Sequence, residues 1–246
     1  MEEKGINKTN TNRYTFTFAV IMVLVVGTLL AFAATSLQPR QYENARIDKM
    51  QQILGTVGIE VETTEAEEVY NQVIVEEIVL DNQGQEREGV EAFDVDLASE
   101  IKRSADEQNF PLYIAEVEGE RYYIIPLRGA GLWNAIFGYI ALKDDVNTVK
   151  GVTFDHLGET PGLGAEITQG WFSERFADEK IFDDNGNLVG VAVVKGNPSS
   201  SKDDNRVDAI SGATITTDGV TDMLYERLNH YLPYFESQTD LNVSNN

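Results

Sequence analysis

The sequence predicts an α+β protein, with one N-terminal transmembrane helix followed by a largely antiparallel-sheet domain. Three observations carry this. Tyr14 to Ala34 is an unbroken apolar run. Behind it, the strand-like runs are mostly joined by short turns, with few stretches suited to a helical crossover. The clearest amphipathic helix comes last, with Val220, Met223, Leu224, Leu228, Tyr231 and Leu232 on one stripe.

The elements follow in order. Residues 1–13 form a short tail carrying Lys4, Lys8 and Arg13. No charged residue occurs between Arg13 and Arg40, and a bilayer needs about 20 apolar residues in helix, so 14–34 is the span. Ala31-Phe32-Ala33 resembles a signal-peptidase site, but the apolar run exceeds the ~7–15 residues of a signal peptide, which favours an uncleaved anchor. Lys and Arg flank the span equally, with Arg40, Arg46 and Lys49 after it, so the positive-inside rule does not choose a side. The acidic character of the remainder points to a cytoplasmic tail and an extracytoplasmic domain.

Residues 35–125 are expected to form a membrane-proximal α+β part. Ile47, Met50 and Leu54 set a helix over Gln41–Leu54; Glu65–Gln72 suits a short helix and Val73–Leu80 a strand, closed by the turn Asp81–Gly84. Pro111–Val117 and Arg121–Leu127 make a hairpin around Glu118-Gly119-Glu120. Residues 126–236 then carry the strand pair Gly138–Leu142 and Val149–Phe154, a helix over Ala165–Phe176, a strand over Leu188–Lys195 after the turn Asp183–Asn187, and the last helix, ending near Pro233. Residues 237–246 are a polar, frayed tail.

Composition narrows the chemistry. Nineteen Lys and Arg against 41 Asp and Glu give a net charge of −22, which disfavours a nucleic-acid partner. With no cysteine there are no disulfides, cysteine-ligated clusters or thiol nucleophiles; two histidines, His156 and His230, lie in no ligand pattern. Redox chemistry here requires an organic cofactor. Gly129-Ala130-Gly131 and Gly162-Leu163-Gly164 lack the third glycine of a dinucleotide fingerprint. Asp183-x-Asn185-x-Asn187 lacks the glycine and glutamate of a calcium loop, with Leu188 and Val194 in their places, and reads as a hairpin turn.

Two glycine-rich segments remain. Gly158-Glu159-Thr160-Pro161-Gly162-Leu163-Gly164-Ala165-Glu166 forms a tight loop that lets backbone approach a ligand, or a plain connection capped by Thr160. Asp208-Ala209-Ile210-Ser211-Gly212-Ala213-Thr214 runs into the last helix. Its spacing supports an anion site at a helix N-terminus or a cap by Ser211, Thr214, Thr216 or Thr217.

Asp-x-x-Ser-Gly-Ala-Thr resembles the flavinylation motif of the FMN-binding domain family. Gly131-Leu132-Trp133, Gly138 to Leu142, Asp145 to Val149 and Glu159 to Glu166 are similar to the C-subunit family of Na+-translocating NADH:quinone reductases, as is the single N-terminal span. Ala165 and Ala209 stand where glycine is common in that family. The resemblance implies covalent FMN, joined by phosphoester to Thr214 by a magnesium-dependent flavin transferase that uses FAD. It implies Ser211, Gly212 and Ala213 around that link, and Leu132, Trp133 and Leu163 as apolar walls, with core packing as the other role for Trp133. Backbone at Thr160 to Gly162 would meet ring carbonyls, with Glu159 orienting that loop or solvated. Lys195 would lie near phosphate or ring, or simply end a strand, and Lys202 and Arg206 would meet neighbouring acidic groups. The chain alone shows no hydride-donor site, quinone chamber or ion path, so it would carry electrons as one member of the complex, with NADH oxidation and sodium translocation in other subunits. Gly27 would pack on partner helices or on membrane lipid. An Rnf-type G subunit and a membrane-anchored non-redox binding protein are the competing expectations.

Overall fold

A computed structural model describes residues 12–196 and 205–238. It divides into two compact units between Asp48 and Lys49. Helix α1 runs unbroken from Asn12 to Thr56 through that division, with Pro39 inside it. The expected span and the helix at Gln41–Leu54 are therefore one element. In the first unit the apolar side chains are exposed all round, and the helix is long and apolar enough to cross a membrane. The hydroxyls of Thr28 and Thr35 donate to the carbonyls of Leu24 (2.7 Å) and Ala31 (2.9 Å), which satisfies them within the apolar stretch.

The second unit is built on an antiparallel meander. After α2 (Ala66–Val73) come β1 (Ile74–Leu80), the single turn α3 (Leu97–Glu100), β2 (Phe110–Val117), β3 (Glu120–Ala130), β4 (Ala135–Lys143) and β5 (Val149–His156). The strands lie in sequence order, β1-β2-β3-β4-β5, each antiparallel to its neighbour. Glu118 (φ 54°) and Gly119 (φ 84°) form the two-residue loop between β2 and β3, the left-handed pair that a tight hairpin demands. The boundary expected at 125/126 falls inside β3.

Both sheet faces are covered. Ile125, paired with Ile140, which pairs in turn with Val152, belongs to the main core beneath the last helices. On the other face Tyr113, Ile124 and Ala141 are paired in a row and buried. There the end of α1 contributes Met50, Ile53 and Leu54, and Thr153 Oγ1 donates to Gln52 O at 3.2 Å. A Cβ on Gly151 would lie 2.6 Å from Thr56 O, so glycine lets the helix end touch β5. Two-sided burial explains why the strands read as nearly continuous apolar runs.

Three expectations are corrected. Ala165–Phe176 is not one helix but two 3-10 turns, Gly164–Thr168 and Glu174–Phe176, around the single turn α4 (Gly170–Ser173). The break falls at Gln169, whose ψ of 138° is extended. Ile167, Phe172 and Phe176 would point up to about 180° apart on an unbroken helix at roughly 100° per residue. The break lets all three enter the core, with Phe154 and Phe176 ring centroids 5.2 Å apart. The strand expected over Leu188–Lys195 shrinks to β6 (Ala192–Val194), parallel to β7 (Arg206–Asp208). Val189 and Gly190 (φ 65°) both donate to Ile181 O, which takes the chain out of strand geometry. The last helix divides into α5 (Thr214–Asn229) and α6 (Leu232–Gln238), with Pro233 in the first turn of α6, where its missing N–H costs nothing. The tail residues 1–11, Lys202 and residues 239–246 lie outside the described residues.

Candidate functional site

Three segments converge at one end of the sheet. The first is the β3–β4 loop, closed by Gly131 N donating to Asn134 O at 2.8 Å, which leaves Leu132 and Trp133 outside. Trp133 is 69% exposed, so it is not a core residue; its indole Nε1 donates to Thr160 Oγ1 at 3.1 Å. The second is the loop after β5, in which Thr160 O accepts from Leu163 N and Ala165 N, both at 3.1 Å. Gly162 sits at φ +77°, and its N–H donates to Glu166 Oε1 at 3.1 Å. The third is the approach to α5. Gly212 turns at φ +82°, and a Cβ there would lie 2.9 Å from Leu163 Cδ2. Arg175 Nη1 donates to Asp208 O at 2.5 Å and pins the beginning of this segment.

Between them lies a cavity of about 210 Å³. Leu132, Glu159, Thr160, Leu163, Gly212, Ala213 and Thr214 line it, together with Gly164, Ile215 and Thr216. Ser211 is exposed just before the turn, Trp133 joins through Thr160, and Gly162 shapes the loop without lining the cavity. Lys195 is exposed beyond the end of β6 and is not among the lining residues. Larger spaces exist, notably an open groove of about 960 Å³ between the end of α1 and β5. The smaller cavity has what that groove lacks: the N-terminus of a 16-residue helix and the Ser-Gly-Ala-Thr segment.

Helix α5 has no side-chain cap: Ala213 is at the N-cap position. Thr217 Oγ1 donates to Ala213 O (3.1 Å) or Thr214 O (3.0 Å), and Thr216 Oγ1 donates to Glu159 Oε2 (2.7 Å). The capping role open to these threonines is therefore not taken up. Thr214, the first residue of α5, is exposed and faces the cavity. Sequence reasoning missed the place of Thr216, Ile215 and Gly164 in the site. Their only signal was position, within one turn of Thr214 or beside Leu163.

Glu159 is 5% exposed. Its Oε1 accepts from Trp133 N at 3.0 Å and its backbone N–H donates to His156 Nδ1 at 3.2 Å. Burial pushes its pKa up, but hydrogen bonds from Thr216, Trp133 N and Asn134 N, with His156 nearby, outweigh this and hold it below the usual carboxylate value. Asp183 accepts from the N–H groups of Asn185 (2.9 Å) and Asn187 (2.8 Å), a closed turn as expected. Among the described residues no group of three or more His, Asp and Glu is placed to hold a metal.

An N-terminal helix long and apolar enough to cross a membrane thus precedes a domain whose residues 131–229 match the FMN-binding domain family. Over most of its length the chain is similar to named proteins. It is 31% identical over 241 residues to the C-subunit of the Na+-translocating NADH-quinone reductase of Pseudomonas aeruginosa, covering 89% of this chain and 92% of that one. The corresponding figures for the C-subunit of Haemophilus ducreyi are 32% over 222 residues, 84% and 85%. The crystal structure of the C-subunit from Parabacteroides distasonis superposes with a TM-score of 0.74 at 41% identity, over 82% of this chain and 98% of that one. The Shewanella oneidensis protein NqrC shares the fold, with a TM-score of 0.70 at 24% identity. The chain belongs to the C-subunit family of the Na+-translocating NADH-quinone reductases, and is thus a subunit of an oxidoreductase complex.

Proposed function

We propose that the chain carries FMN joined by a phosphoester to Thr214, placed there by a flavin transferase, and passes electrons between other subunits of the sodium-pumping reductase. The observation that supports this reading is the cavity that ends on Thr214 at an uncapped helix N-terminus. The neighbouring hydroxyls of Thr216 and Thr217 are already engaged. Unpaired N–H groups there favour a phosphate by about 0.3–1 kcal/mol at an exposed site.

The residues present fit that group. Gly212 removes the side chain that would close the approach, and Leu132, Leu163 and Ile215 offer an apolar lining for a flat ring. Trp133 is held over the rim by Thr160, and the exposure of Trp133 and of Ile215 (58%) leaves one edge open to a redox partner. Bound FMN would supply reversible electron transfer; the protein supplies attachment, orientation and partial exclusion of water. The covalent link keeps the carrier in place without altering the ring. The soluble domain lies on the extracytoplasmic side of a bacterial inner membrane, with the apolar helix among lipid and partner helices, and there is no nucleic-acid partner.

Co-expression with a flavin transferase, followed by denaturing electrophoresis, tests this. A fluorescent band in the wild type, absent in Thr214→Ala, with the adduct mapped to Thr214, is the expected result. A colourless wild-type band beside an active transferase would overturn the reading and leave a non-redox binding role.

A further inference from the structure

Among the residues that line the candidate cavity, Glu159 alone is charged, and both of its carboxylate oxygens are hydrogen-bonded within the protein. Oε1 accepts the Trp133 N–H at 3.0 Å and Oε2 accepts the Thr216 hydroxyl at 2.7 Å. These donors belong to two of the three segments that form the site, the β3–β4 loop and the first turn of α5; Glu159 itself sits on the third, the loop after β5. Each segment also carries a wall of the cavity: Leu132, Leu163 and Ile215.

The backbone is cut to fit this carboxylate. A Cβ on Gly131 would lie 2.5 Å from Oε1, and a Cβ on Gly164 would lie 2.3 Å from Oε2 and 2.5 Å from Thr216 Oγ1. Neither glycine has a positive φ, so close approach and not backbone freedom requires them. A carboxylate accepts on both sides, from the Trp133 N–H and from the Thr216 hydroxyl; an amide would have to turn its NH2 towards that hydroxyl, the one partner that can also accept. A negative charge beside a phosphate is unfavourable as a ligand. Its oxygens are spent on protein donors.

We infer that Glu159 is a positioning residue: it assembles the three walls before flavin arrives and occupies the Thr216 hydroxyl, leaving Thr214 as the open acceptor at the start of α5. The flavin part of this inference rests on the function proposed above. The assembly part does not, since every contact is within the protein.

Four variants test it, with Glu159→Gln as the conservative rescue: Glu159→Ala, Thr216→Val, their double, and Thr216→Ser. In the full-length protein without flavin, amide exchange at Trp133 should rise about tenfold or more in Glu159→Ala, the scale of one lost charged hydrogen bond. Exchange in the central strands β3 and β4 should stay as in the wild type. The initial rate of Thr214 modification by the transferase should fall about tenfold as well. Thr216→Val should slow modification in the same sense, Thr216→Ser should restore the wild-type rate, and the double variant should lose less than the sum of the singles. Glu159→Gln, whose amide oxygen can accept the Trp133 N–H while its NH2 donates to the Thr216 hydroxyl, should recover much of both the protection and the rate. Wild-type exchange at Trp133 together with a wild-type modification rate in Glu159→Ala would overturn the inference. If the wild type itself takes no flavin, the functional reading fails, and Trp133 exchange alone still decides the assembly role.

Discussion

His230 lies at the end of α5 with its ring stacked 4.7 Å from that of Phe110 and its Nε2 3.3 Å from Arg227 Nη2. Burial, with Arg227 adding to it, lowers its pKa to about 4. The folded-state value is thus below the unfolded one of about 6.5, and the unfolded chain binds the extra proton between them. The stabilisation is present above pH ~6.5 and is lost as pH falls towards about 4. His230→Phe should therefore flatten the loss of thermal stability over that window, read by melting temperature against pH. This histidine has a packing role against Phe110. Two glycines make a contrasting pair. Gly162 has open space where a Cβ would go but a φ of +77°, whereas Gly164 has the reverse problem, a blocked position at ordinary φ. Gly162→Ala should cost about 1–2 kcal/mol of stability through backbone strain alone. Gly164→Ala should cost more than Gly162→Ala and also disturb the Glu159–Thr216 contact. Denaturant melts of both, with Trp133 emission as a local reporter, check the order.

At the scale of elements, α5 holds the site against the sheet. Val220, Met223, Leu224 and Leu228 are buried, and a Cβ on Gly129 would lie 2.7 Å from Met223 Cβ. Gly219 comes so close to β3 that its Cβ would lie 2.2 Å from Ala130 O. Leu224→Ala should cost about 2–5 kcal/mol, measured by chemical unfolding. Gly219→Ala should push α5 off the sheet and reduce the proposed modification of Thr214 beyond its effect on stability. The stripe on this helix was visible in the sequence because its period is regular. The hairpins were visible because alternating and β-branched runs flank turn residues. The stretch from Ala165 to Phe176 was misread because its apolar residues suit a helix locally, while the core required them on one side.

At the scale of the whole molecule, α1 serves two environments. Its exposed apolar stretch suits a bilayer, yet Met50, Ile53 and Leu54 at its other end belong to the core of the second unit. Truncation just ahead of residue 40 should leave a folded, soluble domain, whereas truncation at Gly58 should remove the core side chains of Met50, Ile53, Leu54 and Val57 and unfold it; circular dichroism and gel filtration of the two products distinguish these outcomes. Protease added to intact spheroplasts should cleave the soluble part if it is extracytoplasmic, and spare it otherwise.

By itself the sequence determined the membrane span, the antiparallel α+β class, the absence of cysteine chemistry and the segment that ends on Thr214. All of these depend on composition, period or a contiguous motif, which are local properties of a chain. Tertiary structure alone decided that Glu159 joins Trp133 to Thr216, 57 residues away in the chain. It also decided that Gly131 and Gly164 make room for that carboxylate, that Trp133 is exposed, and that Lys195 is not among the residues lining the cavity. These facts follow from which loops the sheet brings to one end, and no local pattern of residues encodes that.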